Sequence, residues 1–317
     1  MLQTTRSLAV RLNHKTPQTL KYQMKTTFPS LLTVAGATAL ALSSCGRDDD
    51  GGEKVTIAGS DTMLQVGLAW QDAYKSVASN VALSVEGEGS STGFKALIDK
   101  TAEIAHSSRQ IKESEAEKIK AAHNGTEAVE HIVGFDGIAV FMHPGNPVKS
   151  ISVPELKEIW AAGGTINNWN QVGGSDSEIQ RMGRSNSSGT YGYFQKAILG
   201  KNAEGKGLEY KPGTGAANGS QGVVEFCSTT PSGIGYSGMS YKNDTVGWLS
   251  VSAEKGGEAI EPSIANVQNK TYPIARPLYI YTVGEPDPDS TVGKYLAWIK
   301  GEGGQEVVSA QGFVPLN

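Results

Sequence analysis

The feature that most constrains how this chain can fold is an alternation of short β-branched runs with amphipathic stretches. Residues 55–58 and 81–85 read as strands, and residues 63–77 between them carry helical periodicity. A helical pattern over 93–100 precedes a short strand at 102–105. Ser114-x-x-Glu117 has the form of a capping box opening a charged helix to about His123. Ser152-x-x-Glu155, with Pro154 in the first turn, opens another through Trp160. Strands separated by helices cannot pair as hairpins, so this order predicts an α/β fold with largely parallel sheets. Two similar apolar strands, at 137–143 and 277–282, bracket a middle rich in Gly, Asn and Ser (163–174 and 211–222) and a compact run at 233–236. That order fits a second lobe inserted into a first, completed by a final helix near 292–299.

Charge is distributed unevenly. Of the 28 Lys and Arg, five (Arg6, Arg11, Lys15, Lys21, Lys25) lie in residues 1–44, which carry no acid, so the remaining 23 face all 32 Asp and Glu. A body that acidic lacks the basic face that nucleic-acid binding requires. Any anion it binds must be held by local donors. The apolar run 31–42 is 12 residues long, too short to span a bilayer and suited to a signal-peptide core. It ends at Leu42-Ser43-Ser44-Cys45-Gly46, which resembles the lipobox of bacterial lipoproteins. The expectation is a signal peptide over 1–44, lipidation at Cys45 and a polar tether over 45–53, with Met24 a second candidate start. Cys227 is then the only other cysteine, inside the apolar stretch 223–227, which predicts a buried thiol and no internal disulfide.

Three segments share one pattern, small hydroxyl residues and glycine where a helix begins. They are Gly59-Ser60-Asp61-Thr62-Met63, Gly87-Glu88-Gly89-Ser90-Ser91-Thr92-Gly93 and Arg184-Ser185-Asn186-Ser187-Ser188-Gly189-Thr190. A helix N-terminus exposes unpaired N–H groups, hydroxyls add donors, and glycine lets the backbone approach closely. Each segment alone is an ordinary helix cap. Together with Arg109, which follows Ser107-Ser108, and with Arg184, they form a set able to converge on one tetrahedral anion, because an arginine fork binds two oxygens at once.

With these motifs in order, the chain resembles the phosphate-binding protein family, the extracytoplasmic receptors of phosphate ABC importers. Phe135-Asp136-Gly137-Ile138-Ala139-Val140, Ile166-Asn167-Asn168-Trp169-Asn170 and Pro231-Ser232-Gly233-Ile234-Gly235-Tyr236 add to the likeness. The resemblance implies a two-lobed periplasmic-binding-protein fold, type II-like, with a ligand cleft between lobes joined by a hinge. The expected boundaries are 54–144 with 237–317 for the first lobe and 145–236 for the second. It implies inorganic phosphate as ligand, held by Ser60, Asp61, Thr62, Ser90, Ser91, Ser108, Arg109, Arg184, Ser188, Gly189 and Thr190. The implied partners are a membrane-embedded ABC permease and, through Cys45, the membrane; a monomer without cofactor, metal or catalytic residue is expected. Two departures stand out. Family members often carry an aspartate where this chain has Ser108 and a small hydroxyl residue where it has Asp61. They also often carry an acid where it has Asn186, so Arg184 is expected to be less neutralised.

A carboxylate suits an anion site only if the ligand carries a proton. Phosphate near neutral pH offers a P–OH donor and sulfate offers none, so Asp61 is expected to favour phosphate, in addition to any capping role. Another oxyanion, sulfate or molybdate, is the nearest alternative. A surface phosphatase or hydrolase is more remote. Residues 200–207 miss a P-loop because Gly207 stands where Ser or Thr is required, and neither G-x-S-x-G nor H-E-x-x-H occurs. His106 beside Ser107 is the one candidate base, and a structural role is expected for it. Trp160 and Trp169 are expected to pack in the second lobe.

Overall fold

Strand β1 (Glu53–Gly59) pairs in parallel with β2 (Val81–Gly87) and with β3 (Ile104–Ser107). This is a computed structural model, which describes residues 53–316. The segment expected to be a signal peptide, Cys45 and most of the expected tether lie outside the described residues. Helix α1 (Leu64–Tyr74) follows β1 through a single 3-10 turn at Asp61–Met63, and α2 (Ser90–Ile98) follows β2. Helix α2 begins three residues before the sequence pattern indicates, so Ser90, Ser91 and Thr92 form its first turn. Gly89, with φ +148°, takes the cap position, where a side chain would strain the backbone. Helix α3 (Glu113–Ala122) is likewise capped earlier than Ser114. The Glu115 carboxylate accepts from the Lys112 N–H at 2.9 Å, so the reciprocal partner is Glu115 and not Glu117.

The 15-residue strand β4 (Ala128–Met142) organises the rest. Residues 128–137 pair antiparallel with β10 (Ala275–Val283), giving the strand order β2-β1-β3-β10-β4. Residues 138–142 leave that partner and pair with β8 (Gly233–Gly238), while 140–142 also pair with β9 (Gly247–Ser252). Between β4 and β10 lie β5 (Ser150–Ser152), α4 (Val153–Trp160), β6 (Gln180–Arg184), α5 (Gly189–Phe194), β7 (Gly215–Ala217), α6 (Ser220–Thr229) and α7 (Ile264–Gln268). After β10 come α8 (Thr291–Lys300) and α9 (Glu302–Ala310). Helix α4 begins where the sequence indicates, Ser152 accepting from the Glu155 N–H at 3.3 Å.

Two separate cores result. One is built on Val55, Ile57, Trp70, Ile104, Leu278, Ile280, Tyr295 and Phe313, with a satellite around Phe94 and Tyr281. The other runs from Ile138 through Trp160, Trp169, Phe194, Tyr236 and Leu249 to Ile274. The chain therefore passes from one lobe to the other between Gly137 and Ile138 and returns between Ile274 and Ala275. The expected lobe limits at 144 and 236 both fall inside the second lobe. One continuous apolar strand serves two sheets, and an apolar run carries no mark of where its partner changes. The sheets are also mixed where parallel ones were expected, because β4 and β10 run antiparallel to their neighbours. Cys227 is buried at α6 as expected, its thiol pushed up to about 12 by burial.

His106 on β3 is buried, with its ring edge-on to Trp70 at 5.9 Å. It does not meet Ser107, whose hydroxyl donates to the Arg109 carbonyl at 2.6 Å, so no serine–histidine pair forms. Burial lowers His106 to about 4, below its usual 6.5, and the folded protein excludes a proton that the unfolded chain accepts. Stability is therefore full above about pH 6.5 and declines as pH falls toward 4, by about 3 kcal/mol in all. Denaturant titrations at pH 7 and pH 4.5 are expected to show that loss, and His106→Gln to remove most of its pH dependence.

Candidate functional site

Both strands that cross between the lobes bring charge to one place. Asp136 is the second-last residue of β4 before the crossing point, and Arg276 is its register partner on β10. The Nε and Nη2 of Arg276 donate to Asp136 Oδ2 at 3.2 and 2.9 Å, with both side chains essentially unexposed. Burial pushes the Asp136 carboxyl up, and the Arg276 guanidinium beside it opposes that shift. Arg276 also donates to the Ser108 carbonyl at 2.8 Å in the first lobe and to Thr190 Oγ1 at 2.9 Å in the second.

Around this pair the three hydroxyl-rich segments meet. From the first lobe, Ser60 donates to Ser108 Oγ at 3.0 Å, and the Ser108 N–H donates to Ser90 Oγ at 3.1 Å. From the second, Ser188 caps α5 by accepting from the N–H groups of Thr190 and Tyr191 at 3.1 and 3.4 Å. The lobes touch directly. Thr62 and Thr190 share a hydrogen bond of 2.8 Å between hydroxyls, and the Ser91 N–H donates to the Ser187 carbonyl at 3.1 Å. Gly189 lies so close to Ser90 and Ser108 that a Cβ on it would overlap both hydroxyls. Ser60, Thr62, Ser90, Ser108, Ser188 and Thr190 are all buried.

Arg184, at the end of β6, is buried and donates from Nη2 to Asp61 Oδ2 at 2.8 Å. Its Nη1 donates to Ser220 Oγ at 2.8 Å and to Ser237 Oγ at 3.4 Å. Its Nε has no partner among the described residues. Burial draws the guanidinium below the usual arginine range and Asp61 opposes this. Asp61 accepts two further bonds at Oδ2, from Ser220 N and Oγ, at 2.9 and 2.8 Å. Arg184 thus does not lack a counter-charge, contrary to the expectation from Asn186. Asp61, 123 positions away in sequence and on the other lobe, supplies it.

Nine of the eleven residues named from the sequence are thus brought together: Ser60, Asp61, Thr62, Ser90, Ser108, Arg184, Ser188, Gly189 and Thr190. Arg109 and Ser91 pair with each other instead. The Arg109 fork closes on both oxygens of Glu115 at 2.8 and 2.6 Å, and Nη2 also donates to Ser91 Oγ at 2.9 Å. A bidentate carboxylate from the adjacent helix is the stronger partner for a buried guanidinium. Sequence reasoning missed Arg276, Ser220, Ser237 and Tyr241, whose hydroxyl donates to the Asp61 carbonyl at 3.1 Å. Asp136 was seen only as part of a motif. A charged residue inside an otherwise apolar strand, as Arg276 is in 275–283, is the signal that could have found the pair.

Chemically, two buried arginines, balanced by two carboxylates and ringed by hydroxyls, suit a small oxygen-rich anion and offer no nucleophile–base pair. Among the described residues no group of His, Cys, Asp and Glu is placed to hold a metal ion. The model of the PBP superfamily domain matches residues 38–302. The phosphate-binding protein PstS of Pseudomonas aeruginosa is 30% identical over 270 residues, 81% of each chain. That of Bacillus subtilis is 30% identical over 264, covering 83% of this chain and 80% of its own. Among solved structures, a putative phosphate ABC transporter substrate-binding protein from Clostridium perfringens, with bound phosphate, superposes with a TM-score of 0.71. It is 29% identical and covers 84% of this chain and 100% of its own. The two-core α/β architecture and these matches over most of the sequence agree, and the chain belongs to the phosphate-binding protein family of the PBP superfamily.

Proposed function

We propose that this protein is an extracytoplasmic receptor that captures inorganic phosphate between its lobes and delivers it to an ABC importer in the membrane. The observation that carries the reading is the buried Arg184, whose Nε has no partner among the described residues, while its Nη1 and Nη2 meet hydroxyls of the second lobe and the Asp61 carboxylate of the first. The named activity of the relatives supports it. An anion at that position takes charge-assisted bonds from arginine and neutral bonds from Ser60, Ser90, Ser108 and the threonines. Asp61 Oδ2 is engaged by Arg184 and Ser220, and Oδ1 accepts no hydrogen bond among the described residues, so it is available to a P–OH donor. Binding favours the arrangement in which the lobes meet, by differential affinity for it. Cys45 carries the lipid anchor and residues 45–53 the tether. No helix among the described residues is long and apolar enough to cross a membrane, and the anchor supplies the membrane contact. The receptor works as a monomer and performs no covalent chemistry.

Calorimetric titration of a soluble form beginning at residue 46 with phosphate, sulfate and molybdate, at two pH values, tests this. Tight phosphate and weak sulfate binding is the expected result; tighter sulfate or molybdate binding replaces the ligand, and no binding overturns the receptor reading. Asp61→Asn is expected to reduce the preference for phosphate over sulfate by about 10- to 100-fold, the worth of one charge-assisted bond. Unchanged selectivity with lowered stability alone would leave Asp61 a structural residue.

A further inference from the structure

Asp61 belongs to the first lobe, whereas every side chain or N–H that donates to its Oδ2 belongs to the second. Those donors are Arg184 Nη2, the Ser220 N–H and the Ser220 hydroxyl, at 2.8, 2.9 and 2.8 Å. The Ser220 hydroxyl oxygen also accepts from Arg184 Nη1 at 2.8 Å, so it stands between carboxylate and guanidinium and fixes both. Ser220 is fully buried in the first turn of α6, and its N–H is one that a helix leaves unpaired. With Nη1 and Nη2 held on the Asp61–Ser220 side, Arg184 keeps Nε unpaired. Building on the receptor reading, the geometry points to Asp61, Arg184 and Ser220 as a clasp between the lobes. Ser220 is its positioning residue, and the clasp sets how long a captured anion is retained.

The three bonds that Asp61 accepts run from lobe to lobe, so they form only after the lobes meet and must break before they part. An anion entering from the open arrangement does not encounter them; an anion leaving must wait for them. The clasp therefore acts on the dissociation rate and leaves association nearly unchanged. It also orients Arg184, since the same hydroxyl that holds the carboxylate holds Nη1. Nothing in this arrangement requires Ser220 to touch the anion.

Ser220→Ala removes the hydroxyl and keeps the N–H and the helix. The phosphate dissociation rate, measured by stopped flow, is expected to rise about tenfold, as for loss of a hydrogen bond to a charged group, with association within about twofold. Spin labels on exposed positions of α3 and α4, one per lobe, are expected to report longer separations at sub-saturating phosphate, and Ser220→Thr to restore both readings. Dissociation rate and label separations both equal to wild type would overturn the clasp while leaving phosphate binding intact. If wild type binds no phosphate, the receptor reading fails. The separations without added anion then decide the clasp: longer in Ser220→Ala supports it, and equal to wild type overturns it. Asp61→Asn, read by the label separations without added anion, guards against a folding defect specific to Ser220: longer separations than in wild type support the clasp and equal ones overturn it.

Discussion

Arg276→Met is expected to destabilise the protein by about 3–5 kcal/mol, read as a lowered denaturant midpoint at pH 7. The substitution keeps most of the volume of the side chain and removes both guanidinium donors and the counter-charge of Asp136, a carboxylate with no exposure at all. An ionised carboxylate cannot stay there unpaired, so its carboxyl must take up a proton on folding. Its pKa in the variant then lies above that in the unfolded chain. A group raised in this way is least costly at low pH, so the deficit is expected to grow from pH 4 to pH 7 and to shrink on acidification. Asp136→Asn combined with Arg276→Met removes the buried charge altogether and is expected to recover much of the loss, because the two positions are directly coupled. Phosphate binding is expected to stay weak in both variants. Arg276 also holds the Ser108 carbonyl in one lobe and Thr190 in the other, and neither variant restores those bonds. A single variant as stable as wild type at pH 7 would show that the pair contributes nothing to the fold.

Gly189→Ala is expected to act on binding and not on stability. The added Cβ overlaps the hydroxyls of Ser90 and Ser108, which belong to the opposite lobe. The three atoms nearest that Cβ all belong to the first lobe, so with the lobes apart an alanine at the first position of α5 meets none of them, and alanine is the better helix former. With the lobes together, about 3 kcal/mol of overpacking opposes the contact, or a hundredfold or more in Kd. Calorimetry against phosphate checks the affinity and thermal melting without phosphate checks the fold. Wild-type affinity in Gly189→Ala would mean that the anion does not require this approach of the lobes.

Local order was legible in the sequence. The strands at 55–58 and 81–85, the Ser152 cap with Glu155, the buried Cys227 and the helix after residue 290 all lie close to where pattern and capping chemistry put them. Each depends on residues a few positions apart. The hydroxyl-rich segments were legible for the same reason, since a helix start needs donors and acceptors supplied nearby. The strand expected at 102–105 is displaced to Ile104–Ser107, and α9 was not anticipated, its Gly-rich start giving a weak helical signal.

The sequence by itself determined many of the local elements, the family and most of the hydroxyls that gather at the interface. What only the tertiary structure decided is which charges meet. Asp61 reaches Arg184 across 123 residues, and Asp136 meets Arg276 across 140. Arg109, which looks equivalent to Arg184 in sequence, is spent on Glu115 six residues away. The chain's crossing at Gly137 and Ile138 was likewise invisible, because an apolar strand reads the same whichever sheet it pairs with. The physical reason is common to all of them. Secondary structure is fixed by short-range periodicity, whereas a buried charge is placed by whichever counter-charge the fold brings within hydrogen-bonding distance in a medium of low dielectric.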